Sequence, residues 1–227
     1  MKLRTVLLAS TAAIGFEGCD PGALAATVGI NVGPEGQYQT IGDAVTAANG
    51  DTDLSNHYVI NVVPGTYLND FATVTRPMTI RSDPAFPGQR AILKATAPLP
   101  NEKGIILTFA SLHVRGLVFE GARIDNSLGG NGAGIRDQQS GPSARLVVEN
   151  SIFRNNQEGI LQGNDLDEAI TIVNSRFINN GNPNAQLFPA RSVYQFCGQP
   201  LGHKQSVLRP IDRSQRQKPG DDDDSQQ

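Results

Sequence analysis

The chain has no tryptophan, two cysteines, two methionines and few charges for its length of 227 residues. Each scarcity excludes something. Cys19 falls inside an apolar leader, so Cys197 would be left without a partner, and a disulfide framework is ruled out. A net charge of −3 argues against the broad basic surface that nucleic-acid binding requires. No uncharged apolar run reaches the roughly 18–20 residues that a helix needs to cross a bilayer. With 18% charged residues and 24 glycines, the composition suits a turn-rich, all-β chain better than a helical one.

What is present is an internal repeat. Leu146–Asn156 reads LVVENSIFRNN and Ile170–Asn180 reads ITIVNSRFINN. Asn150, Ser151, Phe153, Asn155 and Asn156 match Asn174, Ser175, Phe177, Asn179 and Asn180 at an offset of 177 − 153 = 24 residues. A weaker copy, Leu112–Gly121 (LHVRGLVFEG), puts Phe119 in the aromatic place. Repeats of this length are too short to bury their own apolar faces and must stack on their neighbours. Stacking places like over like, with Phe119, Phe153 and Phe177 in one inward column and Asn side chains bonding to each other in a ladder. Asn also tolerates the left-handed backbone of tight turns.

On these residues the chain resembles right-handed parallel β-helix proteins of the pectin-lyase-like group. The fold expected is an all-β, right-handed parallel β-helix with a short N-terminal capping helix. A second similarity covers Val28–Ser82. The order Tyr38-Gln-Thr-Ile-Gly-Asp-Ala-Val, Tyr58–Tyr67 (YVINVVPGTY) and Met78–Ser82 resembles the opening of pectin methylesterases, a stretch without catalytic residues. In it, Thr40 and Asp43 form a capping-box-like start. Ile41, Ala44, Val45 and Ala48 share one helical face, and Asn49-Gly50 is a stop signal. Such a helix would cover the open end of the stack. Short strands are expected at Val74–Ser82, Ala91–Ala95, Gly104–Phe109 and Leu112–Phe119. Between Phe119 and Phe153 the spacing stretches, and Ala122–Ala133 and Asp137–Ser143 read as polar loops leaving the stack, the natural places for function.

Three segments are expected. Residues 1–26 read as a secretory signal peptide, with Lys2 and Arg4, an apolar Thr5–Phe16 and Ala23-Leu24-Ala25 before the cut; Cys19 leaves a lipoprotein alternative open. That makes the product secreted or periplasmic. Residues 27–194 are expected to form the repeat domain, cut short. Residues 195–227, ending in Asp221–Asp224, lack the pattern and read either as a solvated, disordered tail or as the product of a frameshift after Tyr194. Codons compatible with that stretch can encode another Val-Thr-Asn-Ser-x-Phe rung in a second frame. With no further rung, the last one would show an open edge and aggregate.

Catalytic motifs are sparse. Enzymes of the resembled group use calcium-binding Asp clusters with a basic Arg, paired Asp residues, or an Asp nucleophile with Asp and Arg; none of their motifs occurs here. Asp165, Asp167 and Glu168 could hold Ca²⁺ through oxygen ligands or simply solvate a turn. Arg136-Asp137 and Arg123…Asp125 could line a saccharide groove or form surface ion pairs. His57 and His113 have no partner at metal spacing. Gly129-Gly130-Asn131-Gly132 is a flexible loop with no phosphate-binding Lys after it, and Asp221–Asp224 reads as an acidic tail. No residue is therefore assigned a catalytic, cofactor-binding or metal-binding role, and no cofactor is expected. The expected function is a secreted, non-catalytic domain that binds polysaccharide or sits at the cell surface. The alternative is a truncated or divergent polysaccharide-active enzyme of pectate lyase, polygalacturonase or pectin esterase type.

Overall fold

The structure is a computed structural model that describes residues 26–139, 143–163, 169–181, 192–194 and 206–207. It is mostly β. After β1 (Thr27–Val32) and α1 (Ile41–Asn49), strands arrive in threes: β2 (His57–Val62), β3 (Thr66–Leu68), β4 (Ala72–Val74); β5 (Met78–Ser82), β6 (Ile92–Lys94), β7 (Gly104–Thr108); β8 (Leu112–Arg115), β9 (Val118–Glu120), β10 (Ala133–Asp137); β11 (Arg145–Glu149), β12 (Ile152–Arg154), β13 (Glu158–Gln162). Then come β14 (Ala169–Val173), β15 (Arg176–Ile178), β16 (Ser192–Tyr194) and β17 (Ser206–Val207).

Each triplet gives one strand to each of three sheets. The first runs β1-β2-β5-β8-β11-β14-β17, the second β3-β6-β9-β12-β15 and the third β4-β7-β10-β13-β16. Pairing is parallel up to β15, and register matches the repeat: Phe153 pairs with both Phe119 and Phe177. The third sheet was not anticipated as such. Its strands β10 and β13 lie in stretches where glycines interrupt the apolar pattern.

Those glycines have a steric reason. The rings of Phe119, Phe153 and Phe177 stack with centroids 4.8 and 4.9 Å apart and 6° between planes. A Cβ on Gly159 would lie 2.6 Å from the Phe177 ring, and one on Gly134 would lie 2.8 Å from the Phe153 ring. Each stacked pair contributes about 0.5–1.5 kcal/mol beyond the area it buries. The ring file is thus accommodated by a glycine file in the facing sheet.

The turns beside this file repeat as well. Asn150, Asn155, Asn174 and Asn179 have φ between 48° and 56°. In the weaker copy Gly116 (φ 71°) and Gly121 (φ 81°) take the matching places, which explains why Asn and Gly interchange there. Asn156 Nδ2 donates to Phe119 O (3.1 Å) and to Asn180 Oδ1 (3.0 Å), while its Oδ1 accepts from Ala122 N (2.8 Å). Asn180 Nδ2 donates to Phe153 O (2.9 Å). The amide ladder answers backbone groups that would otherwise be buried unpaired. Ser151 Oγ and Ser175 Oγ do the same, accepting from Leu117 N (3.3 Å) and Ser151 N (3.1 Å).

At the other end, α1 buries the expected face, Ile41, Ala44, Val45 and Ala48. Thr40 Oγ1 accepts from Asp43 N (3.1 Å), and the Asp70 carboxylate accepts from Ile41 N (2.6 Å) and Gly42 N (2.8 Å). Asn49 closes the exposed edge of β4: its Nδ2 donates to Thr73 O (2.7 Å) and its Oδ1 accepts from Thr75 N (3.1 Å). The loop after α1 wraps around buried Arg76, whose guanidinium donates to the carbonyls of Ala48, Asp51, Asp53 and Asn56 at 2.7–3.2 Å.

The far edge is less bare than expected. β16 pairs antiparallel with β13, and the two-residue β17 pairs antiparallel with β14. Among the described residues β15 has no strand beyond it.

Gly159→Ala is expected to cost about 1–3 kcal/mol in chemical denaturation, the usual penalty for overpacking. Gly29→Ala, where a Cβ meets nothing within 4 Å, is the control and should be near neutral. A second expectation concerns acid. Hydrogen bonds from the Asn56 side chain, the Asp53 backbone and the Tyr58 hydroxyl hold Asp51 at a pKa of about 2, below its ordinary 3.8. A carboxyl depressed in the folded state contributes stability above pH ~4 that is lost as pH falls toward ~2. Asp51→Asn should flatten the stability profile in that window, followed by urea midpoints.

Candidate functional site

The insertion between Phe119 and Phe153 builds a groove against the stack. Ala122–Gly132 leaves the stack after β9 and carries a short 3-10 turn at Asn126–Leu128. Asp125 caps that turn, its Oδ1 accepting from Ser127 N (2.7 Å); hydrogen bonds from the Ser127 side chain and then its backbone hold the carboxyl below the usual range. The neck of the loop is closed by Gln157 from the next turn of the chain. Gln157 Oε1 accepts from Ile124 N (2.7 Å) and Gly132 N (2.8 Å), and Nε2 donates to Ile124 O (2.9 Å). Gly132 is required at that neck, because a Cβ there would lie 2.7 Å from the Arg123 backbone. The loop expected to be flexible is therefore stapled at both ends.

Between this loop and the stack lies an open groove of about 360 Å³, lined by Ala122, Arg123, Asn126, Asn155, Asn156, Gln157, Asn179 and Gly181. Asn155 and Asn179 stand at its floor as exposed residues, matched across neighbouring strands. Arg123 is exposed and is the charged member of the lining. Strand spacing puts equivalent amides about 4.8 Å apart. A row of amides with one guanidinium offers donors and acceptors in a fixed frame, with no nucleophile or acid–base pair.

The other sequence candidates fare differently. Asp165, Asp167, Glu168 and Asp221–Asp224 lie outside the described residues. Arg123 and Asp125 form no ion pair: Arg123 faces the groove and Asp125 serves the turn. Arg136 and Asp137 do not pair either; Asp137 is buried and Arg136 half-buried, as expected of adjacent strand residues pointing to opposite faces. His57 Nε2 lies 3.2 Å from Thr79 Oγ1. His113 does not stand alone, contrary to expectation. Its Nε2 is 3.3 Å from Glu149 Oε2, and Arg115 Nε is 3.9 Å from the same oxygen. The first sheet brings these three together from adjacent strands β8 and β11. On the second sheet Lys94 and Arg154 flank Glu120 (Lys94 Nζ–Oε1 2.9 Å, Arg154 Nε–Oε2 2.7 Å), and the Lys94 hydrogen bond leads in holding its carboxyl below the usual range. Among the described residues no three His, Cys, Asp or Glu side chains gather as a metal site would need, and no helix is long and apolar enough to cross a membrane.

Comparisons with family models, with curated proteins and with solved structures find no match to this chain.

Sequence reasoning pointed to Arg123 and to the insertion, but read Asn155 and Asn179 as turn residues only and passed over Gln157. The doubled Asn-Asn was a usable signal for the floor. Gln157 had none, because its partners sit 25 and 33 residues away. Gln157→Ala should free the loop neck, seen as faster hydrogen exchange at the Ile124 and Gly132 amides with little change at β12.

Proposed function

We propose that this chain is a secreted, right-handed parallel β-helix that binds polysaccharide without turning it over. Three parallel sheets fed in strict rotation, together with the resemblance of the repeat to pectin-lyase-like proteins, support the fold reading. The groove carries the functional reading. Its amides, its single Arg and its stapled wall suit hydroxyl-rich ligands, which are recognised by networks of directional hydrogen bonds on a rigid frame. The signal-like leader supports export.

A second reading, a polysaccharide-active enzyme, is favoured by His113, Glu149 and Arg115. His113 Nε2 lies 3.3 Å from Glu149 Oε2 without a hydrogen bond to it, so the pair could move a proton only once that contact tightens.

Affinity electrophoresis against a panel of neutral and acidic polysaccharides tests the first reading. Asn155→Gly and Asn179→Gly keep the left-handed backbone and remove the amides. Each should weaken binding about 2–10-fold, the worth of one hydrogen bond. No retardation by any polysaccharide, or variants that bind like the wild type, would refute it. Release of unsaturated products or methanol from pectins, with and without Ca²⁺, and its loss in His113→Gln, would instead establish the enzyme.

A further inference from the structure

Asparagine is chemically labile, and most so before glycine, which puts no side chain in the way when its backbone nitrogen attacks the asparagine carboxamide. The chain holds three such pairs, Asn49-Gly50, Asn131-Gly132 and Asn180-Gly181. Attack needs two freedoms: the glycine N–H must leave its acceptor, and the carboxamide must be able to turn toward it. Two of the pairs lack both. Gly50 N donates to Thr46 O (3.1 Å) and Gly181 N to Asn156 O (3.0 Å), both backbone acceptors. Their asparagines are tied as well, Asn49 to Thr73 O and Thr75 N, and Asn180 to Phe153 O and to Asn156.

Asn131-Gly132 differs on both counts. No hydrogen bond ties the Asn131 carboxamide to any described residue. It follows Gly129 and Gly130, both in left-handed backbone (φ 104° and 59°), and precedes β10, so no regular element holds it. The Gly132 N–H is held by a side chain from the next turn of the chain, Gln157 Oε1, at 2.8 Å. Gln157 is itself anchored by Ile124 N and O. An amide bonded in this way gives up its proton to solvent only when the bond opens locally. The same opening that admits hydrogen exchange at Gly132 therefore frees its nitrogen to react.

We propose that Asn131-Gly132 is a self-modification site guarded by Gln157. When the loop neck opens, Gly132 N loses its proton to water and bonds to Asn131 Cγ. The Cγ–Nδ2 bond breaks, and Nδ2 takes up a proton and leaves as ammonia, giving a five-membered succinimide. Water then opens that ring at either carbonyl, leaving aspartate or its isoaspartyl isomer at position 131. Either product adds a negative charge at the neck. The isomer also adds a methylene to the backbone, which carries Gly132 N away from Gln157. The wall of the groove is thus unstapled in one direction, since nothing in the reaction restores the amide. The site rests on the geometry of the neck and stands whether or not the groove binds polysaccharide.

Incubation of the full chain at mildly alkaline pH with peptide mass mapping, read beside hydrogen exchange at the Gly132 amide, is the test. In the wild type Asn131 should convert before Asn49 and Asn180. Gln157→Ala should speed both the conversion of Asn131 and the exchange of Gly132 N–H by the same factor, about tenfold. Gln157→Glu, which keeps an acceptor oxygen for Gly132, should convert more slowly than Gln157→Ala. The proposal fails without any variant if Asn49 or Asn180 converts first in the wild type. It fails equally if Asn131 converts no faster in Gln157→Ala than in the wild type, or if Gln157→Glu is as fast as Gln157→Ala. Should Gln157→Ala not fold, the wild type in sub-denaturing urea takes its place: conversion at Asn131 that does not rise in step with exchange at Gly132 would refute the guard.

Discussion

The structure depends on vertical identity: a residue one turn later must fit directly above its predecessor. In the ring file this demand is met three times over, at Phe119, Phe153 and Phe177, and it propagates sideways. The stack of nearly parallel rings takes the space that side chains at 134 and 159 would fill, so those positions are glycine. It also fixes the height at which Asn156 and Asn180 meet, and hence which backbone groups their amides can reach. Register is strongly specified wherever one face is buried, because a slip by one residue turns the whole apolar set outward.

The groove follows from this stacking and from one departure from it. The offset that separates Asn156 from Asn180 is 24 residues, while that from Ala122 to Asn156 is 34. The surplus cannot enter the stack without breaking register, so it is expelled as a loop and pinned by Gln157. A regular scaffold with one expelled loop provides both rigid floor and wall. The same economy produces the clusters on the sheet faces, where neighbouring strands bring His113 to Glu149 and Lys94 to Glu120.

Much of the fold was legible because the signal is local and repeated. The Asn-Ser-x-Phe-x-Asn-Asn motif by itself sets the register of β12 and β15, and the spacing of Ile41, Ala44, Val45 and Ala48 sets the buried face of α1. In the third sheet β7 falls on the strand expected at Gly104–Phe109, whereas β10 and β13 were illegible for a physical reason. In β10 and β13 the inward places opposite the rings are glycines and the strand ends are polar, so neither alternation nor an apolar run marks them. The site was half legible. Arg123 and the insertion stand out in sequence, whereas the bonds of Gln157 and the Glu149 contact of His113 exist only across turns of the chain.

Ring-to-ring proximity in solution tests the stacking most directly. With phenylalanine rings selectively labelled, nuclear Overhauser contacts should join Phe153 to both Phe119 and Phe177 and should not join Phe119 to Phe177. Absence of either Phe153 contact would contradict the stacked order from which the groove, the glycine file and the amide ladder are all derived.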